Sequence, residues 1–358
     1  MEQTMKAVVL HGPDDYAVEN VAIPEPGYGE VLVEIRSVAI CGSDPGIFRG
    51  DVRKDNWPPY YPFIAGHEFA GKVVKLGEGV GALKIGDRVA GEAHCGCGIC
   101  DMCKQGFYNL CRNYGRAGHH HYGHFTQGCY AQYQVYDQKA LTVMPDAVSY
   151  DEGAMADTAG TAYNGIHLVG IVPGGWTLVL GPGPMGNMLA QMAKAMGSKT
   201  IVVGYNDADR LKVAKEVGAD HVIETTACED VVAEVKRITA GHGVDRAFDC
   251  AGAHDTLDEA IRATTANGKV AVIAYPKMPT TQEALYYMVK NQVTVQGVRA
   301  NPNCNPTVLN MMADGSLDSK SLITHAFGIE ETKKAFDVFM NHRDGAVKVV
   351  IHPNEPEE

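Results

Sequence analysis

Between residues 177 and 196 an apolar run, Thr177–Leu180, leads into Gly181-Pro182-Gly183-Pro184-Met185-Gly186. Behind it Met185, Met188, Leu189, Met192 and Met196 recur at helical spacing, a stripe that reads as core packing. Strand, glycine turn and helix in that order constrain the fold more than anything else in the chain. Gly181 permits the tight turn, Gly183 lets backbone approach a pyrophosphate, and Gly186 allows close helix packing. The helix start offers free N–H groups and the positive end of a dipole to phosphates. With 40 glycines in the chain such patterns arise by chance, so the flanking strand and helix carry the weight. Dinucleotide binding is therefore expected, with Gly181, Gly183, Pro184, Met185 and Gly186 at the phosphates.

The alternation continues. Strand candidates are Thr200–Val203, His221–Glu224, Arg246–Cys250, Lys269–Tyr275 and Thr294–Val298. Asp207 reads as an N-cap, with Gly218 closing the helix after it. This pattern predicts a doubly wound parallel sheet of the Rossmann type over residues 158–298, covered on both faces. Before it, short strand-like runs broken by Gly and Pro predict an irregular, mostly β domain: Lys6–Leu10, Val31–Val38, Ala70–Leu76 and Tyr130–Val135. The last sixty residues lack the Rossmann pattern and are assigned to that first domain, giving 1–157 with 299–358. The class is α/β.

The second Rossmann strand should end near a residue that reads the adenosine ribose, and an acid there repels a 2′-phosphate. The chain has Gly204-Tyr205-Asn206, then Asp207 and Arg210. The missing acid tilts the expectation toward NADP, with Arg210 as phosphate partner; Asp207 could still serve NAD if the turn is displaced. Tyr205, Asn206 and Ile273, near the end of the fifth strand candidate, complete the expected cofactor contacts.

Five of the ten cysteines fall between Cys95 and Cys111. The pattern Cys97-x2-Cys100-x2-Cys103-x7-Cys111 suits a tetrahedral, four-thiolate zinc with no vacant position, a structural site. Disulfides or a redox pair are the alternatives, and without a secretion signal the metal reading is preferred. Cys95 falls outside the spacing and reads as a spare thiol.

The formal net charge of -12 argues against nucleic acid and anionic membranes as partners. No apolar stretch approaches a bilayer span, and the first ten residues lack a basic segment followed by an apolar run. A cytoplasmic location is expected.

Two further segments are Cys41-Gly42-Ser43-Asp44 and Gly66-His67-Glu68-Phe69-Ala70-Gly71, with Gly77 beyond. Taken with the cysteine lobe and the glycine turn, in this order, they make the chain resemble the zinc-containing medium-chain alcohol dehydrogenases. The resemblance covers essentially the whole chain. It implies a chaperonin-like β-barrel catalytic domain, a Rossmann domain, and a catalytic zinc held by Cys41, His67 and Asp157, with Glu68 an alternative or outer ligand. Asp44 matches the carboxylate that orients the ligand histidine. Three protein ligands leave one position open, where the metal acidifies an alcohol whose carbon releases hydride to nicotinamide C4. Ser43 matches the hydroxyl that takes the substrate proton. The family often continues this relay through a histidine five residues after the first ligand; here that position is Gly46.

The family's substrate wall falls here on Glu92-Ala93-His94, with Trp57, Tyr114 and Arg116 as further candidates. Their polarity favours a secondary, polyol or sugar-like alcohol as the small-molecule partner. His119-His120-His121 with His124 reads as a solvated loop, with a second metal site the alternative. A homo-oligomer is implied, a tetramer before a dimer. The competing readings are a zinc-free quinone or enone reductase of the same superfamily and a catalytically silent cofactor-binding protein.

Overall fold

The computed structural model describes residues 3–51, 57–116, 118–253 and 255–355. It divides into two compact units: Met1–Thr158 with Ala300–Ala313 and Ile323–Glu358, and Ala159–Arg299 with Asp314–Leu322. The segment 314–322 departs from the expected division. Gln191 holds it to the second unit, accepting from Asp318 N at 2.8 Å and donating to Asp318 O at 3.1 Å.

The second unit is a six-stranded, all-parallel sheet. Its order across the sheet is His221–Glu224, Lys199–Gly204, Trp176–Leu180, Val244–Asp249, Thr264–Val272 and Thr294–Gly297. The first strand in sequence lies in the middle and the order reverses beside it, which is the doubly wound dinucleotide-binding arrangement. Leu178, Val179, Leu180, Ile201, Val202 and Val203 are fully buried, as strands covered on both faces require. The helix Pro184–Ala195 buries Met188, Leu189 and Met192 against the sheet. Asp207 does occupy the N-cap position of the helix Ala208–Glu216, yet its side chain makes no cap bond. Glu224, at the end of the neighbouring strand, takes the N–H groups of Asn206 and Asp207 instead.

The first unit is built on a seven-stranded, mostly antiparallel sheet. In order it runs Ile323–Gly328, Lys348–His352, Glu30–Ala39, Glu68–Leu76, Arg88–Gly91 and Leu141–Val143, with Tyr133–Asp137 also paired to Glu30–Ala39. Its interior is a cluster of Val, Ile, Phe and Tyr side chains that includes Val31, Val33, Ile35, Phe69 and Tyr136. Two registers matter for function. Ala39 pairs with Glu68, and Val350 pairs with Ala39 from the other side. Cys41 just beyond one strand, His67 and Glu68 at the start of the next, and Lys348 at the start of the third therefore gather at one end of the sheet. A one-residue slip would turn Glu68 to the opposite face.

Candidate active site

At that sheet end, donor atoms of Cys41, His67 and Glu68 all lie within 4.8 Å of one another. His67 and Glu68 are buried and Cys41 is half-buried. Asp157 is buried beside them but outside this spacing, and its Oδ1 accepts from Ala93 N at 3.2 Å. The structure thus brings together two of the three expected ligands, and the carboxylate grouped with them at metal-compatible spacing is Glu68. Glu68 is not a bare charge: Lys348 Nζ reaches its Oε2 at 2.6 Å, with both side chains almost wholly buried. Lys348 also donates to Thr158 Oγ1 at 3.3 Å.

Asp44 holds the other side of the group. Its Oδ2 accepts from Cys41 N at 2.9 Å and from the Tyr130 hydroxyl at 2.7 Å, and its Oδ1 lies 3.5 Å from His67 Nδ1. Gly66, at φ +91°, makes room for this, because a Cβ there would stand 2.6 Å from the Tyr130 ring. Burial pushes Asp44 up, but His67, Cys41 N and Tyr130 outweigh it and hold the carboxyl below its usual value. Burial likewise disfavours charge on His67, while Cys41 and Asp44 hold that ring well above the usual imidazole value. The pocket of sulfur and carboxylate is built to attract a cation. Asp157 is pushed up to about 6, by burial first and by Glu68, against the pull of His67, Ala93 N and Lys348.

Ser43 is exposed at the start of the helix Asp44–Arg49, and its hydroxyl is not spent on a cap. Gly46 is half-buried, so the position offers no side chain to continue a relay.

The four lobe cysteines also gather within 4.8 Å of one another. Cys97 Sγ and Cys103 Sγ are 3.9 Å apart, and Cys100 Sγ and Cys111 Sγ 4.0 Å. The edge of a tetrahedron with bonds of about 2.3 Å is about 3.8 Å, so four sulfurs at this spacing fit one zinc. All ten cysteines are free, which removes the disulfide alternative. The N–H groups of Ile99 and Cys100 and the amide of Asn113 point at Cys97 and lower its thiol to about 6. Cys95 is buried, and its thiol is pushed up to about 12 by that burial.

In the second unit Gly181 has φ +104°, and a Cβ on Gly186 would lie 2.0 Å from Gly181 O. Gly183 is different: a Cβ there would meet nothing within 4 Å. Backbone stands open at that point, with Pro184 and Met185 beginning the helix, which suits a pyrophosphate at the helix start. Tyr205 donates to Glu259 at 2.5 Å. Asn206 takes φ +56°, and Ile273 packs toward Gly165. Arg210 is buried and paired with Asp207 at 3.6 Å.

Comparison with known proteins agrees with this geometry. Residues 27–146 match the alcohol dehydrogenase GroES-like domain, and residues 184–314 the zinc-binding dehydrogenase domain. Sorbitol dehydrogenase of Bacillus subtilis (strain 168) is 32% identical over 352 residues, covering 98% of each chain. A protein of Sinorhizobium meliloti 1021, described as a zinc-binding dehydrogenase and bound to NADP, has a TM-score of 0.88 at 29% identity, over 98% of this chain and 100% of that one. An alcohol dehydrogenase of E. coli CFT073 complexed with NADH has a TM-score of 0.86 at 26% identity, over 98% and 99%. The chain belongs to the zinc-containing medium-chain alcohol dehydrogenase family. As such it is a zinc-dependent, NAD(P)-dependent alcohol dehydrogenase that transfers hydride between an alcohol and a nicotinamide.

Within this dehydrogenase, several neighbours of the site had no motif to announce them. Lys348 left one trace, a lone cation opening the apolar run Val349–Ile351. Tyr130 left none. Glu92 is turned to Tyr108, which donates to it at 2.5 Å; burial and the charge of Asp157 push the acid up to about 8. Arg116 is exposed. The histidine loop corrects an expectation, because His119, His121 and His124 are buried, not solvated. The hairpin that carries them packs so closely on Gly66 that a Cβ on Gly123 would lie 2.2 Å from Gly66 O.

Proposed function

We propose that the enzyme oxidises a polyol or similarly hydroxyl-rich secondary alcohol. Cys41, His67 and one of the carboxylates Asp157 and Glu68 would hold the catalytic zinc, and the four lobe cysteines a structural one. A zinc at the first group would acidify the substrate hydroxyl, and the nicotinamide would accept the hydride. What the chain itself contributes is position and charge. Asp44 and Tyr130 fix His67, and Lys348 offsets Glu68 so that the two carboxylates need not both face the metal. Ser43, exposed and uncapped, takes the substrate proton and passes it to water, which Gly46 makes the direct route. The observation that carries this reading is the group Cys41, His67 and Glu68, gathered by strand register with Asp157 beside it. The substrate class draws support from the sorbitol dehydrogenase relative and from the polar residues Glu92 and His94 near Asp157.

The turn 181–186 would take the pyrophosphate. A preference for NADP would rest on Arg210, and since Asp207 already engages that guanidinium, a 2′-phosphate would have to share it. The expected preference is accordingly small. A homo-oligomer is supported by exposed Tyr286, Val289 and Val295 on the outer helix and edge strand of the parallel sheet, and the order of tetramer before dimer rests on the family resemblance alone. No helix among the described residues is long and apolar enough to cross a membrane. Ten free cysteines suit the reducing cytoplasm.

The deciding experiment is a cofactor-reduction screen of the zinc-loaded enzyme against simple alcohols, polyols and sugars with both NAD and NADP. Turnover concentrated on polyols supports the reading. Turnover confined to simple primary alcohols ends it.

A further inference from the structure

The helix Pro184–Ala195 buries two amide side chains among its methionines and alanines, Asn187 and Gln191. Four residues apart, they share one face of the helix. Both ends of the Gln191 amide are used, on the main chain of Asp318. Asn187 is used at one end only. Its Nδ2 donates to Pro182 O at 2.6 Å, while its Oδ1, equally buried, has no hydrogen-bond partner among the described residues. An interior amide with half its capacity unmet lowers stability, and a leucine, with the same branching, would fill the position without that cost. What the chain gains in return is the bond to Pro182.

That bond acts on the glycine turn. The peptide joining Pro182 to Gly183 is trans, so its carbonyl and its N–H point in opposite directions. Holding Pro182 O against the buried Asn187 turns the Gly183 N–H away from that side chain. It also turns inward a carbonyl whose negative end would repel a phosphate. The prolines raise the weight of this one peptide. Pro182 and Pro184 have no N–H, so within residues 182–185 only Gly183 and Met185 can offer one. One of the two donors of that stretch thus depends on how a single peptide is rotated. Asn187 N bonds Gly183 O at 2.9 Å, so the residue that holds the turn is itself fixed to it.

We propose that Asn187 is a positioning residue for the coenzyme's pyrophosphate. By holding Pro182 O it keeps the Gly183 N–H set for a phosphate oxygen, without touching the coenzyme itself. The proposal rests on the reading of the turn 181–186 as the pyrophosphate seat and deepens it. Because the bond acts on the diphosphate and on neither the nicotinamide nor the 2′-position, its effect is the same for NADH and NADPH.

The test compares zinc-loaded wild type with Asn187→Leu. Kd for NADH and for NADPH is measured by titration calorimetry, with zinc content, the Tm of the coenzyme-free protein and steady-state rates alongside. Both Kd values should weaken about tenfold, and KM for the coenzyme should rise with them. At saturating coenzyme kcat should not fall, zinc should stay bound, and Tm should hold or rise. Unchanged Kd values overturn the proposal. So does a loss of Tm, zinc and kcat together with the weaker binding, because Asn187 would then only support the fold. If Asn187→Leu does not fold, Asn187→Ala takes its place, read on Kd and kcat alone; an unchanged Kd, or a kcat that falls with it, overturns the proposal equally. Gly183→Val tests the seat by itself, since a Cβ there meets nothing within 4 Å and the added bulk crowds a phosphate and not the chain. If that variant binds both coenzymes as tightly as wild type, the turn is not the seat and both readings fail. If it binds them weakly while Asn187→Leu binds them normally, only this proposal fails.

Discussion

Two groups of side chains with metal-compatible spacing sit in the same unit, and they are built in opposite ways. The four-cysteine lobe takes all its donors from residues 97–111, so the chain's local geometry brings the sulfurs together. The Cys41 group takes its donors from the ends of two paired strands, with a neighbouring carboxylate from residue 157 and a counterion from residue 348, so it exists only when the sheet is in register. The lobe's donors are all thiolates, which suits a filled shell. The Cys41 group mixes sulfur, imidazole and more carboxylates than a metal needs, which suits a site that leaves room for substrate. The two groups thus differ in how far along the chain their donors come from, as well as in donor type, as the proposed structural and reactive roles require.

The comparison predicts that the two groups fail separately. His67→Ala should lower turnover about a thousandfold or more. It should leave the lobe's zinc in place, read as a fall from two metals per chain to one. Loss of both would break the distinction. Cys103→Ser should do the reverse, lowering Tm by about 10 °C while the protein that stays folded keeps most of its kcat. A variant that is stable but inactive would show that the lobe serves the chemistry directly.

The next effect is smaller and depends on pH. Asp157 is raised by burial from 3.8 to about 6, so between those values the folded chain holds more protons than the unfolded one. In the metal-free protein its contribution is intact below that window, falls as pH rises through it, and stays lost above about 6. Metal-free Asp157→Asn should therefore gain on wild type as pH rises from 4 to 8, by about 2 kcal/mol in urea unfolding. An advantage that does not change across that range would contradict the burial of this acid. Smallest is Tyr130→Phe, which frees one lone pair of Asp44. It should weaken zinc at the Cys41 group about tenfold in chelator competition and leave the lobe untouched. Equal weakening at both sites would mean the tyrosine acts through general stability.

The same contrast explains what could be read from the sequence. The parallel sheet was legible because fully buried strands are continuous apolar runs, and the strand–turn–helix around Gly181 is a local pattern. The lobe was legible from spacing alone. Cys41, His67 and Asp157 were named only through family resemblance, since no periodicity connects positions so far apart. Glu68's closeness to Cys41 and His67 follows from the Ala39–Glu68 pairing, which sequence does not display. The histidine loop was misjudged for the reverse reason. His residues read as polar, yet stacking and a hairpin pressed on Gly66 bury them.

The ion pair between Glu68 and Lys348 spans 280 residues of sequence. During synthesis at about 5–20 residues per second, the acid emerges from the ribosome roughly a quarter of a minute to a minute before its partner. Over that interval the nascent catalytic pocket carries an uncompensated acid and lacks a strand. The nucleotide-binding unit, whose six strands all lie between residues 176 and 297, is complete first. The Cys41 group therefore reaches its final charge balance only after all six strands of the nucleotide-binding unit have emerged.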